Sequence, residues 1–249
     1  SKSSKMKKKE SPLIYLQKDF MQSESARPLR LIAEYIGPHE KFAELGIKHS
    51  IIFYGSARIP PKNNQSSKYY TQAVDLSKKL AKYLLDSKEN KDTTIVTGGG
   101  PGIMEAASKG TKLGGIKSIG LNISLPHEQE VNPYVLHEHS FEFHYFFMRK
   151  YWLLEYARVL IFFPGGFGTF DELFGVLTLI QTRKLERHIK VILYDEEHWT
   201  QTVNFKRLIE MGLISKKEFQ CIEFAKDAQQ AYESTVQFLN KKKKSKGNF

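Results

Sequence analysis

The chain predicts an α/β fold built on a doubly wound parallel sheet. Two observations carry that prediction. From Ser50 onward, short apolar runs of strand character alternate with longer stretches of helical spacing. Three of those runs also end in turns of glycine or other small residues. Strands alternating with helices favour a parallel sheet with helices on both faces, a Rossmann-like arrangement in which ligands bind outside the carboxyl ends of the strands.

In chain order, residues 1–27 are polar and basic and read as a disordered tail. Residues 28–46 have helical apolar spacing in Leu29, Ile32, Ala33, Ile36 and Phe42, with Gly37-Pro38 expected to break the segment in two. Strands are expected at 50–54, 93–97, 117–123, 159–163, 189–194 and 221–224. Helices are expected near 66–86, 102–113, 145–157, 169–184, 199–210 and 226–240. Segment 124–144 is irregular, rich in His, Glu and Pro, and suited to covering the carboxyl edge of the sheet. Residues 28–240 thus read as one nucleotide-binding domain, with 241–249 as a second basic tail. No internal repeat is visible.

The net charge of +11 invites a nucleic-acid reading, so its location matters. Lys2, Lys5, Lys7, Lys8 and Lys9, with Lys241, Lys242, Lys243, Lys244 and Lys246, supply ten of those charges, and the body between is close to neutral. Such runs are usually solvated. No aromatic residues are interleaved to stack on bases, so nucleic acid is expected to make only weak, salt-sensitive contact with them. Cys221 is the single cysteine, which excludes an internal disulfide and suits a reducing compartment. Its flanks, Phe219 and Ile222, suggest a buried strand residue. No run approaches the roughly 18 apolar residues of a membrane span, and no apolar stretch follows the first lysines as in a signal peptide. Cytoplasm is the expected location.

The chemistry concentrates in two glycine turns. After Val159–Phe163 comes Pro164-Gly165-Gly166-Phe167-Gly168-Thr169-Phe170-Asp171-Glu172. Glycines allow a tight bend and close backbone approach to a ligand. A helix start beyond them offers free N–H groups to a phosphate, and a carboxylate nearby can act on what that phosphate carries. Thr169 and Glu172 also have the spacing of a capping box, which requires no ligand. Upstream, Thr93–Thr97 leads into Gly98-Gly99-Gly100-Pro101-Gly102 and the helical start Ile103-Met104-Glu105. Neither turn is a P-loop, because no Gly-Lys-Ser/Thr follows. Neither is a regular dinucleotide fingerprint, since Ile103 occupies the place of the third glycine. His137 and His139 have an i, i+2 spacing that would place both on one strand face beside Glu138 and Glu142. No third ligand is identifiable, and no metal is expected.

The strings Gly98–Glu105 and Pro164–Glu172 together resemble the LOG ("lonely guy") family, cytokinin-activating phosphoribohydrolases and related nucleotide 5′-monophosphate nucleosidases often labelled lysine decarboxylase. The likeness runs from about Ile51 to Asp227 and includes Gly120–Ile123, Phe146–Lys150 and Leu177–Thr182. The resemblance implies hydrolysis of the N-glycosidic bond of AMP or N6-modified AMP, giving free base and ribose 5-phosphate. It implies Arg149 and Glu172 as the catalytic pair, with Lys150 in support. Gly165, Gly166, Gly168 and Thr169 would hold the phosphate, while Gly98, Gly99, Gly100 and Gly102 offer amides to the nucleotide. Ser56 and Arg58 would touch base or ribose, and Glu105 would be a second carboxylate. It further implies a homodimer or higher homo-oligomer, with no cofactor.

Two other readings stand beside this one. One is a broad purine or pyrimidine nucleotide nucleosidase. The other is a binder or sensor that keeps the cradle without turnover, although a pure binder has no need of Glu172.

Overall fold

The computed structural model describes residues 13–124, 130–185 and 188–241. Its centre is a seven-stranded sheet in which every pairing is parallel. The strands are β1 (His49–Tyr54), β2 (Thr93–Thr97), β3 (Ile119–Ile123), β4 (Ser140–Phe143), β5 (Ala157–Phe162), β6 (Lys190–Tyr194) and β7 (Ile222–Ala225), and their order across the sheet is β4-β3-β2-β1-β5-β6-β7. The helices are α1 (Lys18–Gln22), α2 (Arg27–Glu44), α3 (Ser67–Asp86), α4 (Ile103–Leu113), α5 (Phe146–Glu155), α6 (Phe167–Gln181), α7 (Glu196–Thr202), α8 (Phe205–Glu210), α9 (Lys216–Phe219) and α10 (Ala228–Asn240). Among these residues, no helix is long and apolar enough to cross a membrane.

Strand side chains alternate between two buried layers. Ile51, Phe53, Ile95, Ile161 and Phe163 face α3, α4 and α10. Ile52, Tyr54, Val96, Leu160 and Phe162 face the other way, beneath Phe42 of α2, Trp152 of α5 and Leu173 of α6. Strands covered on both faces read as continuous apolar runs, which is why six of the seven are legible in the sequence.

The seventh strand, β4, lies in the segment expected to be irregular. It is a sheet edge with a less buried pattern, paired only with β3, and it lacks the apolar run that marks the others. Just before it, His137–His139 forms a 3-10 turn, so the two histidines do not share a strand face. His139 is buried, and burial pushes its pKa down. No group of three or more metal-ligating side chains occurs among the described residues.

Helix α2 does not break at Gly37-Pro38. Proline at position 38 cannot donate to the carbonyl of Glu34, four residues earlier. The Trp152 indole N–H donates to that carbonyl instead, at 3.0 Å. The Glu34 carboxylate accepts from the amides of His144 (2.7 Å) and Tyr145 (3.2 Å), where α5 begins. A partner helix thus repairs the ladder that proline interrupts, and in doing so fixes α5.

Part of the segment expected as an N-terminal tail has regular structure, and residues 1–12 of it lie outside the described residues. Residues 13–26 form α1 flanked by 3-10 turns, and Arg30 donates to the carbonyls of Met21 (2.8 Å) and Ser23 (2.7 Å). The lysines at positions 2–9 and 242–246 lie outside the described residues. The stretch 199–210 contains two helices, capped separately by Asp195 and Asn204. Cys221 stands one residue before β7 and is only partly buried. Burial pushes its thiol pKa up, which disfavours the nucleophilic thiolate.

Candidate active site

The chain leaves β1 towards β2 on one side and, by way of β5, continues on the other, so the order reverses between β1 and β5. In doubly wound sheets that reversal opens a crevice at the carboxyl ends of the strands. Three turns meet there, with Ser56 between them. Its amide donates to the Pro164 carbonyl at 3.1 Å, and its carbonyl accepts from Ile103 N–H at 3.1 Å. Two glycines are required by this close packing. Gly102 has φ +69°, and a Cβ there would lie 2.2 Å from the Ser56 carbonyl oxygen. A Cβ on Gly165 would lie 2.0 Å from Thr169 Oγ1.

The crevice is a cleft of about 610 Å³. Of the residues singled out in the sequence, it brings together Ser56, Arg58, Gly98, Arg149, Gly166, Gly168, Thr169 and Glu172. Helix α6 starts at Phe167 with Gly166 as its N-cap, and no side chain caps it. Its first amides therefore lack intrahelical partners and are available to an anion, with the helix dipole favouring negative charge. The helix begins two residues earlier than expected, so Thr169 is not the cap and the Thr169–Glu172 pair forms no capping box. Such a box does occur elsewhere, between Ser215 and Glu218. Both Thr169 and Glu172 are buried against the cleft instead.

Arg149 reaches the cleft from α5. Its Nη1 lies 3.4 Å from where a Cβ of Gly98 would stand, and its guanidinium sits over the Phe146 ring at 5.5 Å. Arg149 Nε and Glu172 Oε2 are buried without hydrogen-bond partners among the described residues. Burial pushes the Glu172 pKa up, opposed by Lys150 and then Arg149, while Asp171 adds to the rise. Burial also lowers the Arg149 pKa, against the attraction of Glu172, Tyr54 and Asp171. The site thus holds one carboxylate, Glu172, and one buried guanidinium, Arg149, each with an unused polar atom, beside the exposed Arg58.

Other expected residues lie outside the cleft lining. Lys150 turns away and pairs with Asp171 at 2.6 Å. Glu105 accepts a 2.6 Å hydrogen bond from the Tyr70 hydroxyl of α3. The carbonyls of Gly99 and Gly100 accept from the Asn132 side chain at 3.2 and 3.1 Å, which holds that turn from the segment before β4. Gly102 and Gly165 act in the packing described above.

Sequence reasoning missed Tyr54, which lines this cleft, and the apolar wall of Met104, Ile123, Phe167 and Phe170. Tyr54 was detectable as the last residue of β1, the strand-end position at which this fold places ligands.

Comparison with known proteins places these features in context. The family model described as "Possible lysine decarboxylase" matches residues 104–235. A probable cytokinin riboside 5′-monophosphate phosphoribohydrolase, LOG6 of Arabidopsis thaliana, is 27% identical over 168 residues, covering 67% of this chain and 77% of the relative. Among solved structures, TM1055 superposes with a TM-score of 0.52 at 20% identity, over 76% of this chain and 99% of that one. A molybdenum cofactor carrier protein from Chlamydomonas reinhardtii superposes with a TM-score of 0.51 at 21% identity, over 77% and 98%. At such identities these structural likenesses establish the fold alone.

Proposed function

The chain belongs to the LOG family, also described as possible lysine decarboxylases, and from that premise we propose that it is a nucleoside 5′-monophosphate phosphoribohydrolase. The reaction is hydrolysis of the N-glycosidic bond of AMP or N6-modified AMP to free base and ribose 5-phosphate. The observation that carries this reading is the meeting, in one cleft, of the uncapped start of α6 with Arg149 and the buried Glu172.

The first amides of α6 hold the 5′-phosphate and so fix the ribose. Positive charge grows at the anomeric carbon as the bond to the base breaks, and water attacks from the opposite face. Glu172 stabilises that charge and takes the proton from water. Its raised pKa suits this task, because a base is most effective when its pKa approaches the working pH. Arg149 supplies paired donors to the substrate. The apolar wall of Met104, Ile123, Phe167 and Phe170, with the Phe146 ring also in the lining, is suited to a purine.

The printed family description fits the cleft poorly. A decarboxylase of the pyridoxal type needs a Schiff-base lysine. Among the described residues no lysine lines the cleft, and Lys150 is engaged with Asp171.

A homodimer or higher homo-oligomer is part of the proposal, supported by apolar side chains left exposed on neighbouring helices, among them Tyr35 of α2 at 51% and Phe147 of α5 at 54%. The single cysteine supports a reducing compartment such as the cytoplasm.

The test is incubation with a panel of nucleoside 5′-monophosphates, including N6-isopentenyl AMP, with detection of ribose 5-phosphate. Release from one or more adenine nucleotides is the expected result. Binding without release from any member would replace the enzyme with a nucleotide carrier.

A further inference from the structure

Tyr54 is a buried polar group of the cleft to which the proposed mechanism assigns no role. It closes β1, and alternation along the strand puts it on the sheet face covered by α5 and α6, the helices that carry Arg149 and Glu172. Its ring stacks on Phe162 with centroids 4.6 Å apart and planes 13° from parallel, which fixes its aim. The residue is 7% exposed and lines the cleft, yet its hydroxyl has no hydrogen-bond partner among the described residues.

Buried hydroxyls are rarely left unpaired, and one carried by a residue that lines a binding cleft calls for a ligand as its partner. Burial, with Glu172 adding to it, pushes the phenol pKa up, so the group is neutral and able to donate at any working pH. Glu172 Oε2 is unpaired in the same cleft and can only accept when ionised. Tyr54 and Glu172 line one cleft and Glu172 acts on the Tyr54 phenol, so a donor on one and an acceptor on the other suit a guest hydroxyl, which accepts from the first and donates to the second. With Glu172 over the anomeric carbon, the sugar hydroxyl nearest to it is the 2′-hydroxyl. We infer that Tyr54 and Glu172 jointly bind the ribose 2′-hydroxyl, and that Tyr54 makes the site select ribonucleotides over 2′-deoxyribonucleotides. The assignment rests on the reading of the cleft as a ribose 5-phosphate site. It leaves the second carboxylate oxygen of Glu172 for water.

The experiment is calorimetric titration of ribose 5-phosphate and of 2-deoxyribose 5-phosphate into the wild type and Tyr54→Phe. The wild type is expected to prefer the ribose compound about tenfold, roughly what one well-made hydrogen bond confers. In Tyr54→Phe that preference is expected to fall to about twofold or less, with binding of the deoxy compound unchanged. The thermal midpoint of the ligand-free variant should be equal or higher, because the lost hydroxyl had no partner.

A preference that survives in Tyr54→Phe, or is absent from the wild type, overturns the inference. So does an equal loss of affinity for both sugars together with a lower midpoint, which marks a structural role. A wild type that discriminates between the two sugars but hydrolyses no nucleotide overturns the proposed reaction and leaves the role of Tyr54 standing. A wild type that binds neither sugar overturns both.

Discussion

Gly102 and Ser56 are packed so closely that a methyl group on Gly102 would stand 2.2 Å from the Ser56 carbonyl oxygen and 2.7 Å from the Ala57 carbonyl carbon. Both obstacles are backbone, and the φ of +69° at Gly102 is itself unfavourable to a side chain. With ψ at −128° the residue lies outside the left-handed helical well, in a region that costs a residue with a side chain about 1–3 kcal/mol. Gly102→Ala is therefore expected to lower the thermal midpoint by at least about 4 °C. Because the shift moves Ser56 between the turns after β2 and β5, nucleotide affinity should fall with stability. Differential scanning fluorimetry and calorimetric titration of AMP would check both. An unchanged midpoint would refute the packing argument.

The glycines at the start of α6 behave in the opposite way. A Cβ on Gly166 or Gly168 would meet nothing within 4 Å. The fold does not need a bare backbone there, whereas a phosphate approaching the amides does. Gly168 lies within the helix, where alanine is favoured over glycine by about 0.5–1 kcal/mol. Gly168→Ala should therefore raise the midpoint by about 2 °C while weakening binding of ribose 5-phosphate by about tenfold or more. Loss of stability, or undiminished binding, would show that the phosphate is held elsewhere.

How much of this was legible in the sequence depended on how local the signal was. Buried parallel strands such as Ile51–Tyr54 and Val159–Phe162 announce themselves as apolar runs, and the two glycine turns lie where those runs stop. Arg149 and Glu172 were found through the family motif and do enter one cleft. What failed depended on distant partners. The continuity of α2 through Pro38 rests on Trp152, which is more than a hundred residues away in the chain. The direction of Lys150 is set by Asp171 on another helix, and Glu105 is occupied by Tyr70. Thr169 was read as a cap because its spacing to Glu172 fits one. The structure starts the helix at Phe167, since Gly166 takes the extended N-cap conformation.

The Lys150–Asp171 pair makes a separable contribution. It sits outside the cleft and is partly exposed, so its worth to stability is small, about 1 kcal/mol or less. Its charge nevertheless acts on Glu172, where Lys150 is the largest influence opposing the effect of burial. Lys150→Gln is expected to leave nucleotide affinity within about threefold, a difference under 1 kcal/mol. The Glu172 pKa should rise further, moving the acid limb of the pH–rate profile to higher pH. A limb that stays in place would mean that Lys150 does not influence the reacting carboxylate, and a collapse of affinity would place Lys150 on the substrate.

Glu172 itself ties stability to chemistry. Its folded-state pKa is raised above 4.5 by burial, so over the interval between the unfolded and folded values the native state binds more protons than the unfolded chain. The contribution of Glu172 to stability must then fall as pH rises through that interval and remain at its lower level above it. Glu172→Gln removes the ionisation while keeping the shape. At neutral pH the variant should be at least as stable as the wild type, and its advantage should shrink as pH drops below the ordinary carboxylate range. Turnover should fall by about 10²–10⁴, the usual contribution of a positioned general base. In the wild type, the acid limb of kcat should lie above the pH at which an exposed glutamate ionises. Thermal denaturation across pH 3–8, run beside ribose 5-phosphate release, would check the two halves together. A variant that is both less stable at neutral pH and fully active would show that Glu172 is a structural residue and that the base lies elsewhere.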